Sequence, residues 1–243
     1  MQTDLQRVAL VTGANKGIGL AITQQLAARG YTVYLASRDA QRGAEAKRGI
    51  ERPGLDIRTL SLDVSDDASI ATAALRLKEE VGALDVLVNN AGIGGQRLSP
   101  SQCTAQALRD VYATNVFGPV AVTHALLPLL RAGQQRTIVN VSSDLGSLAL
   151  HSYPDFPHAP FNLLPYCSSK TALNAFTVLL AKELLAENFK VNAVNPGFTA
   201  TDLNGFTGTR TVEQAAQIVV KYASLDASGP TGGYFTDGGV LPW

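Results

Sequence analysis

Tyr166 and Lys170, in the stretch "YCSSK", are the residues best suited to move a proton. Positions four apart on a helix share one face. A tyrosine hydroxyl titrates near pH ~10, and a neighbouring ammonium stabilises its anion. Such a pair suits protonation of the alkoxide that develops when a carbonyl is reduced, although the spacing also arises by chance in helices. Ser142 and Ser143 end the run "RTIVNVSS". One of these hydroxyls could hydrogen-bond a substrate carbonyl, with ordinary turn chemistry as the other reading. Asn115, in "YATNVFG", stands inside a long apolar stretch. Asn is unfavourable within a helix. A buried amide there needs a partner, a backbone carbonyl or a water.

Three glycines, Gly13, Gly17 and Gly19, follow the first apolar run in "VTGANKGIG". Where a strand turns into a helix, the free amides and the helix dipole favour an anion, and glycines let a pyrophosphate come close. The spacing is G-x-x-x-G-x-G rather than G-x-G-x-x-G, and a glycine turn without a ligand is the alternative. The second run ends Ala36-Ser37-Arg38-Asp39. Ser37 stands where a ribose-binding carboxylate is expected, and Arg38 with Lys16 suits the 2′-phosphate of NADP. Against this, Arg38 and Lys16 can be read as solvated charges, with Asp39 capping the next helix. Asn89 and Asn90 can be read as braces for their turn.

Short β-branched runs alternate with amphipathic stretches. "RVALVT", "TVYLAS", "DIRTLSLDV", "LDVLVNNAG", "RTIVNVSS" and "KVNAVNPG" read as strands, with one last short strand in "GGYFTDGG". Helices are expected over 18–28, 40–52, 69–80, 106–130, 166–187 and 212–224. Runs that are apolar throughout imply burial on both faces, and the alternation implies an α/β fold with a doubly wound parallel sheet. Segment 148–165 holds Pro154, Pro157, Pro160 and Pro165, which argue against helix or central strand there.

The chain has 243 residues, 46% hydrophobic and 16% charged, with Lys+Arg and Asp+Glu balanced at 20 each. It is long enough for a sizeable core and has no basic field to gather nucleic acid or an anionic membrane. Cys103 and Cys167 are too few for a disulfide framework and fit a reducing compartment. No signal peptide and no apolar run of bilayer length is read, so a cytoplasmic protein is expected.

The motifs "TGANKGIG", "NNAG" (89–92), "SS" (142–143), Tyr166-x-x-x-Lys170 and "NPG" (195–197) occur in this order where strands meet helices. Together they resemble the compact, single-domain branch of the short-chain dehydrogenase/reductase family, its carbonyl-reductase-like members in particular. The resemblance spans nearly the whole chain and implies one Rossmann-type domain over 1–243. It implies NADP(H)-dependent reduction of an aldehyde or ketone, reversible, by hydride transfer from the nicotinamide. Tyr166 would be the general acid, Lys170 would lower its pKa and hold the nicotinamide ribose, and Ser143 would orient the carbonyl. Asn115 would hold a water linking Lys170 to solvent. Asn15, Lys16, Ile18 and Gly92 join the three glycines, Ser37 and Arg38 in the implied cofactor site. Asp63 and Val64 would bracket the adenine, and Asn89 and Ala91 would line its ribose side. Pro196, Gly197, Thr199 and Thr201 would meet the nicotinamide and pyrophosphate. A narrow-substrate biosynthetic ketoreductase, a hydroxysteroid-type dehydrogenase, and an NADP-binding regulator without turnover are the alternatives.

The interval from Ser143 to Tyr166 is longer than in the most compact members, so 148–165 is expected to be an insertion. Tyr153, Phe156 and Phe161 should form a wall over a small-molecule carbonyl substrate. His151 and His158, with no carboxylate partner expected, read as surface groups, and no metal is expected. Cys167 reads as packing. Segment 199–211 reads as a mobile substrate lid, with Phe198 and Phe206 as apolar pocket residues. A homo-oligomer, dimer or tetramer, is slightly favoured unless the insertion blocks the long helices.

Overall fold

The structure is a computed structural model that describes residues 6–243. The reading of the extreme N-terminus rests partly on residues 1–5, which lie outside the described residues. Eight strands form one sheet: β1 (Val8–Val11), β2 (Thr32–Ser37), β3 (Asp56–Ser61), β4 (Val86–Asn89), β5 (Thr137–Val141), β6 (Lys190–Val194), β7 (Tyr234–Thr236) and β8 (Gly239–Val240). Their order is β3-β2-β1-β4-β5-β6-β7-β8. The first seven pair in parallel, as at Val11 with Leu35 and Val88. Only β8 runs antiparallel, setting Phe235 opposite Val240. One strand was expected in "GGYFTDGG". The Asp237-Gly238 pair is a hairpin-turn dipeptide, and it folds the chain back into a second.

The helices are α1 (Gly17–Ala27), α2 (Ala40–Ile50), α3 (Asp67–Glu80), α4 (Ala105–Tyr112), α5 (Gly118–Ala132), α6 (Leu148–His151), α7 (Leu164–Glu183) and α8 (Val212–Ala223). Successive strand residues point to opposite faces, so each strand feeds two cores. Ala9, Val11, Val33 and Val88 pack with Ile22 of α1 and Val219 of α8. Leu10, Tyr34, Leu87 and Ile138 pack with Leu77 of α3, Leu126 of α5 and Leu180 of α7. The order reverses between β1 and β4, and in such sheets ligands bind in the crevice beyond the carboxyl ends of the strands at that switch.

Two helix expectations change. The single helix over 106–130 is interrupted by a π turn, Ala113–Phe117, between α4 and α5. Turns of this kind hold an extra residue and often mark functional sites. The combined run Ala105–Ala132 is long and apolar enough by length and composition to cross a membrane, contrary to the sequence reading. In this fold it packs on α3 and α7. Segment 148–165 begins with α6, a helical turn that ends before the first of the four prolines. Pro165 lies in the first turn of α7, which starts at Leu164 rather than at Tyr166. A first-turn proline loses no helical hydrogen bond.

Candidate active site

The glycine loop is braced from β4. Thr12 Oγ1 donates to Val88 O and accepts from the amides of Asn90 and Ala91, both at 3.0 Å. Asn90 Nδ2 donates to Thr12 O at 2.8 Å and Gly13 O at 3.2 Å. Neither Thr12 nor this role for Asn90 over Asn89 was evident from the motifs. Gly13 and Gly17 have φ of 61° and 57°, the left-handed region that glycine enters without penalty. A Cβ on Gly19 would lie 2.5 Å from Asn90 Nδ2 and 2.7 Å from Gly13 O. Asn15 and Ile18 are half-buried in the loop. Lys16 is the N-cap residue of α1 but its side chain does not bond the helix amides, and no acid lies in the first turn. The helix amides therefore keep their donors for an anion.

Ser37 is buried and donates to Asp39 O at 2.9 Å. Asp39 caps α2 by accepting from Arg42 N, as the alternative reading had it. Arg38 is exposed and has no hydrogen bond or ion pair among the described residues. Its charge helps hold the Asp63 carboxyl below its usual range, after the hydrogen bonds from Ser65. Lys16 does not share this position as a free cation, because it forms an ion pair with Asp202 of segment 199–211.

The side chains of two residues implied in the adenosine site, Asn89 and Val64, turn inward. The Asn89 side chain is buried and donates to Asn140 Oδ1 at 2.8 Å and Thr123 Oγ1 at 3.2 Å. Val64 is buried, and a Cβ on Gly118 would lie 2.9 Å from its Cγ2. Both side chains serve the core beneath the crevice. Ala91 backs Gly13, whose Cβ would come within 2.8 Å of the Ala91 Cα.

Of the serine pair, Ser142 is buried and donates to Asn174 Oδ1 at 2.6 Å. Ser143 is half-buried, and its hydrogen bonding favours the Tyr166 phenolate. Lys170 is buried, donates to Val141 O at 2.8 Å and lies 5.7 Å from the Tyr166 ring centroid. Desolvation lowers its pKa to about 8. Desolvation pushes Tyr166 the other way, up to about 12, and the Asp144 carboxylate adds to the rise. Desolvation thus favours the neutral form of both groups, and Lys170 is not among the charges that act on the phenol.

Asn115 sits in the π turn, fully buried. It accepts from Ile93 N at 2.9 Å and donates to Ile93 O and Ser169 Oγ, both at 3.0 Å. These partners fix its side chain within the π turn. Gly92 separates it from the lysine: a Cβ there would lie 3.5 Å from Asn115 Oδ1 and 3.6 Å from Lys170 Nζ.

Segment 199–211 closes on itself and on the glycine loop. Ala200 N donates to Arg210 O, Asn204 Nδ2 to Thr199 O and Thr199 Oγ1 to Gly197 O. Thr201 faces Gly17, and Leu203 reaches Gly94. Gly197 has φ of 79° and lies against Arg210, which pairs with Asp237. Pro196 is buried beside it. Phe206 is exposed, whereas the Phe198 ring faces the insertion.

The insertion is tied to the same site. His158 Nδ1 meets Asp144 Oδ2 at 2.8 Å, and His151 Nε2 meets Leu145 O at 3.0 Å. The histidines were expected to lack a carboxylate, and for His158 this is corrected. Phe161 and the half-buried His158 stand beside Phe198, while Phe156 is buried and Tyr153 is exposed. The wall is therefore Phe161, His158 and Phe198. Cys167 Sγ lies 3.7 Å from Phe161 O, and burial raises its pKa. No cluster able to hold a metal ion is found among the described residues.

Residues 7–211 match the short chain dehydrogenase family. The chain is 33% identical to (-)-isopiperitenone reductase of Mentha piperita over 305 aligned residues, covering 96% of each. It is 33% identical to carbonyl reductase (NADPH) 1 of Mus musculus over 279, covering 97% of this chain and 98% of that one. A solved NADPH-bound carbonyl reductase from chicken fatty liver superposes with a TM-score of 0.85 at 29% identity, covering 98% and 99% of the two chains. Both sequence alignments exceed the 243 residues of this chain, so those relatives carry insertions that it lacks. The chain belongs to the short chain dehydrogenase family and is an oxidoreductase of that family. The nicotinamide dinucleotide such enzymes use fits the α1 terminus free of side-chain caps, the positive-φ glycines and the unpaired Arg38.

Gly19→Ala should displace Asn90 from the loop and weaken dinucleotide binding at least about tenfold, measured by calorimetric titration. Wild-type affinity would mean the loop tolerates the Cβ. Asp144→Asn keeps an oxygen for His158 but removes the charge that disfavours the phenolate. The alkaline titration of Tyr166, read as the difference spectrum against Tyr166→Phe, should therefore move to lower pH. An unmoved titration would reject the assignment.

Proposed function

We propose that this dehydrogenase reduces an aldehyde or ketone to an alcohol with NADPH, reversibly, and that Tyr166 delivers the proton. The observation that carries this reading is the half-buried Tyr166, whose phenolate Ser143 favours by hydrogen bonding, one helical turn from a buried lysine. The names of the peppermint and mouse relatives, one a reductase and the other an NADPH carbonyl reductase, support the direction and the cofactor.

A bound nicotinamide dinucleotide supplies the hydride that adds to the carbonyl carbon. Ser143 donates to the carbonyl oxygen and fixes it near the phenol. The Tyr166 O–H bond breaks as the developing alkoxide takes the proton, and the phenolate is reprotonated from solvent. A phenol held up at about 12 is fully protonated at neutral pH, and an alkoxide is the stronger base, so the transfer runs downhill. Lys170, anchored on Val141 O, presents its ammonium toward the site below pH about 8. Arg38 offers its unpaired guanidinium to a 2′-phosphate, with Ser37 in place of a carboxylate that would repel it.

Tyr166→Phe should lower kcat for NADPH-driven reduction by at least about a hundredfold while NADPH affinity persists. Loss of affinity along with turnover would break this division of labour. Arg38→Asp should turn the preference, measured as the ratio of kcat/KM, from NADPH toward NADH. An unchanged ratio would remove Arg38 from cofactor selection.

A further inference from the structure

The His158 ring is fixed at one end and open at the other. Nδ1 is bound to Asp144 Oδ2 at 2.8 Å, and Nε2 has no hydrogen-bond partner among the described residues. A carboxylate at Nδ1 holds the proton there and leaves Nε2 as an acceptor in the neutral ring. Three aromatic rings surround the imidazole: Phe156 at 5.6 Å, Phe161 at 5.9 Å and Phe198 at 5.8 Å between centroids. These come from the insertion and from the start of the lid. Asp144 itself follows Ser143 and acts on the Tyr166 hydroxyl. The histidine therefore stands between the proton donor and the lid, as the polar group of an apolar wall. Its side chain keeps 25% of its surface exposed and that of Asp144 keeps 20%. A dyad formed only to pin a loop needs no partly exposed ring with a second nitrogen left unbonded.

Resting on the reductase reading above, we propose that His158 recognises substrate, selecting carbonyl compounds whose flat apolar ring carries a hydroxyl, and that Asp144 is the positioning residue that aims it. The ring lies against Phe161 and Phe198, and the hydroxyl donates to Nε2. Aromatic rings favour such edge and offset arrangements. A site that accepts a hydrogen bond from a substrate hydroxyl discriminates against the analogue without it.

The test compares acetophenone with its three hydroxy isomers, bound to protein loaded with NADP+ so that no reduction intervenes. At least one isomer should bind about fivefold tighter than acetophenone or better. The ratio should fall to near one in His158→Phe and recover in part in His158→Gln. Nitrogen-15 spectra of the wild-type histidines, assigned with His158→Gln, should show a protonated Nδ1 and a bare Nε2 that shifts on binding the preferred isomer. A merely structural histidine would not give that shift. Equal binding of all four ketones, or the same ratio in His158→Phe, would overturn the proposal. A preference without NADPH oxidation in a parallel assay would uphold His158 and count against the reductase reading.

Discussion

The site depends on how closely α7 approaches the end of β5. The loop between them contains Gly146, where a Cβ would lie 2.7 Å from the Lys170 Cβ and 2.8 Å from its carbonyl carbon. No larger residue leaves that approach intact. Because α7 sits so close, Lys170 reaches back to Val141 O, and its ammonium is held beneath the crevice rather than in water. Thr171 Oγ1 and Asn174 Nδ2 both donate to Gly146 O, so the same turn is clamped from its other side. A buried ammonium is expensive unless it is bonded, and a single backbone carbonyl is the partner found for it. Asn115, Ile93 and Gly92 then complete the floor around it.

The same burial sets the electrical state of the two central groups. Desolvation favours the neutral form of each, which raises the tyrosine and lowers the lysine. Neither shift requires the other residue. The spacing of Tyr166 and Lys170 invites the view that one tunes the other, yet the charge acting on the phenol is Asp144, which opposes ionisation. The arrangement keeps the proton on Tyr166 at neutral pH. Charge supplied by a ligand in the crevice is what would move both values.

Much of this was legible in the sequence, for physical reasons that can be named. Strands buried on both faces read as continuous apolar runs, and β2 falls on "TVYLAS" as read. Glycines that need positive φ or close contact stand out by type. Most of the failures turn on where a side chain points or on a contact across loops. Asn89 and Asn90 are neighbours, but the pleat sends Asn89 into the core and Asn90 to the glycine loop. The π turn at Asn115 adds a residue to a helix without a break in hydrophobicity. Lys16 looked like a free cation because its partner Asp202 is distant in the chain. The pairing of His158 with Asp144 depends on how a proline-rich segment folds back, which no periodicity encodes. The β8 hairpin was marked by its Asp-Gly pair and passed over.

Chemistry and selectivity are carried by different parts of the chain. Gly13, Gly19, Ser143, Tyr166 and Lys170 come from strand ends and helix starts, and each is held by backbone contacts within the doubly wound core. His158 and Phe161 come from segment 148–165 and Phe198 from the residue just before segment 199–211, held by a few side-chain contacts. Loops positioned by a rigid scaffold can change without disturbing it. The relatives compared here differ from this chain by insertions, so the scaffold tolerates different covers over the same chemistry. Asp144 is where the two parts meet, because its carboxylate is paired with His158 on one side and its charge acts on Tyr166 on the other. A change at that position alters proton transfer and substrate choice together, whereas changes at Phe161 or Phe198 are free to alter choice alone.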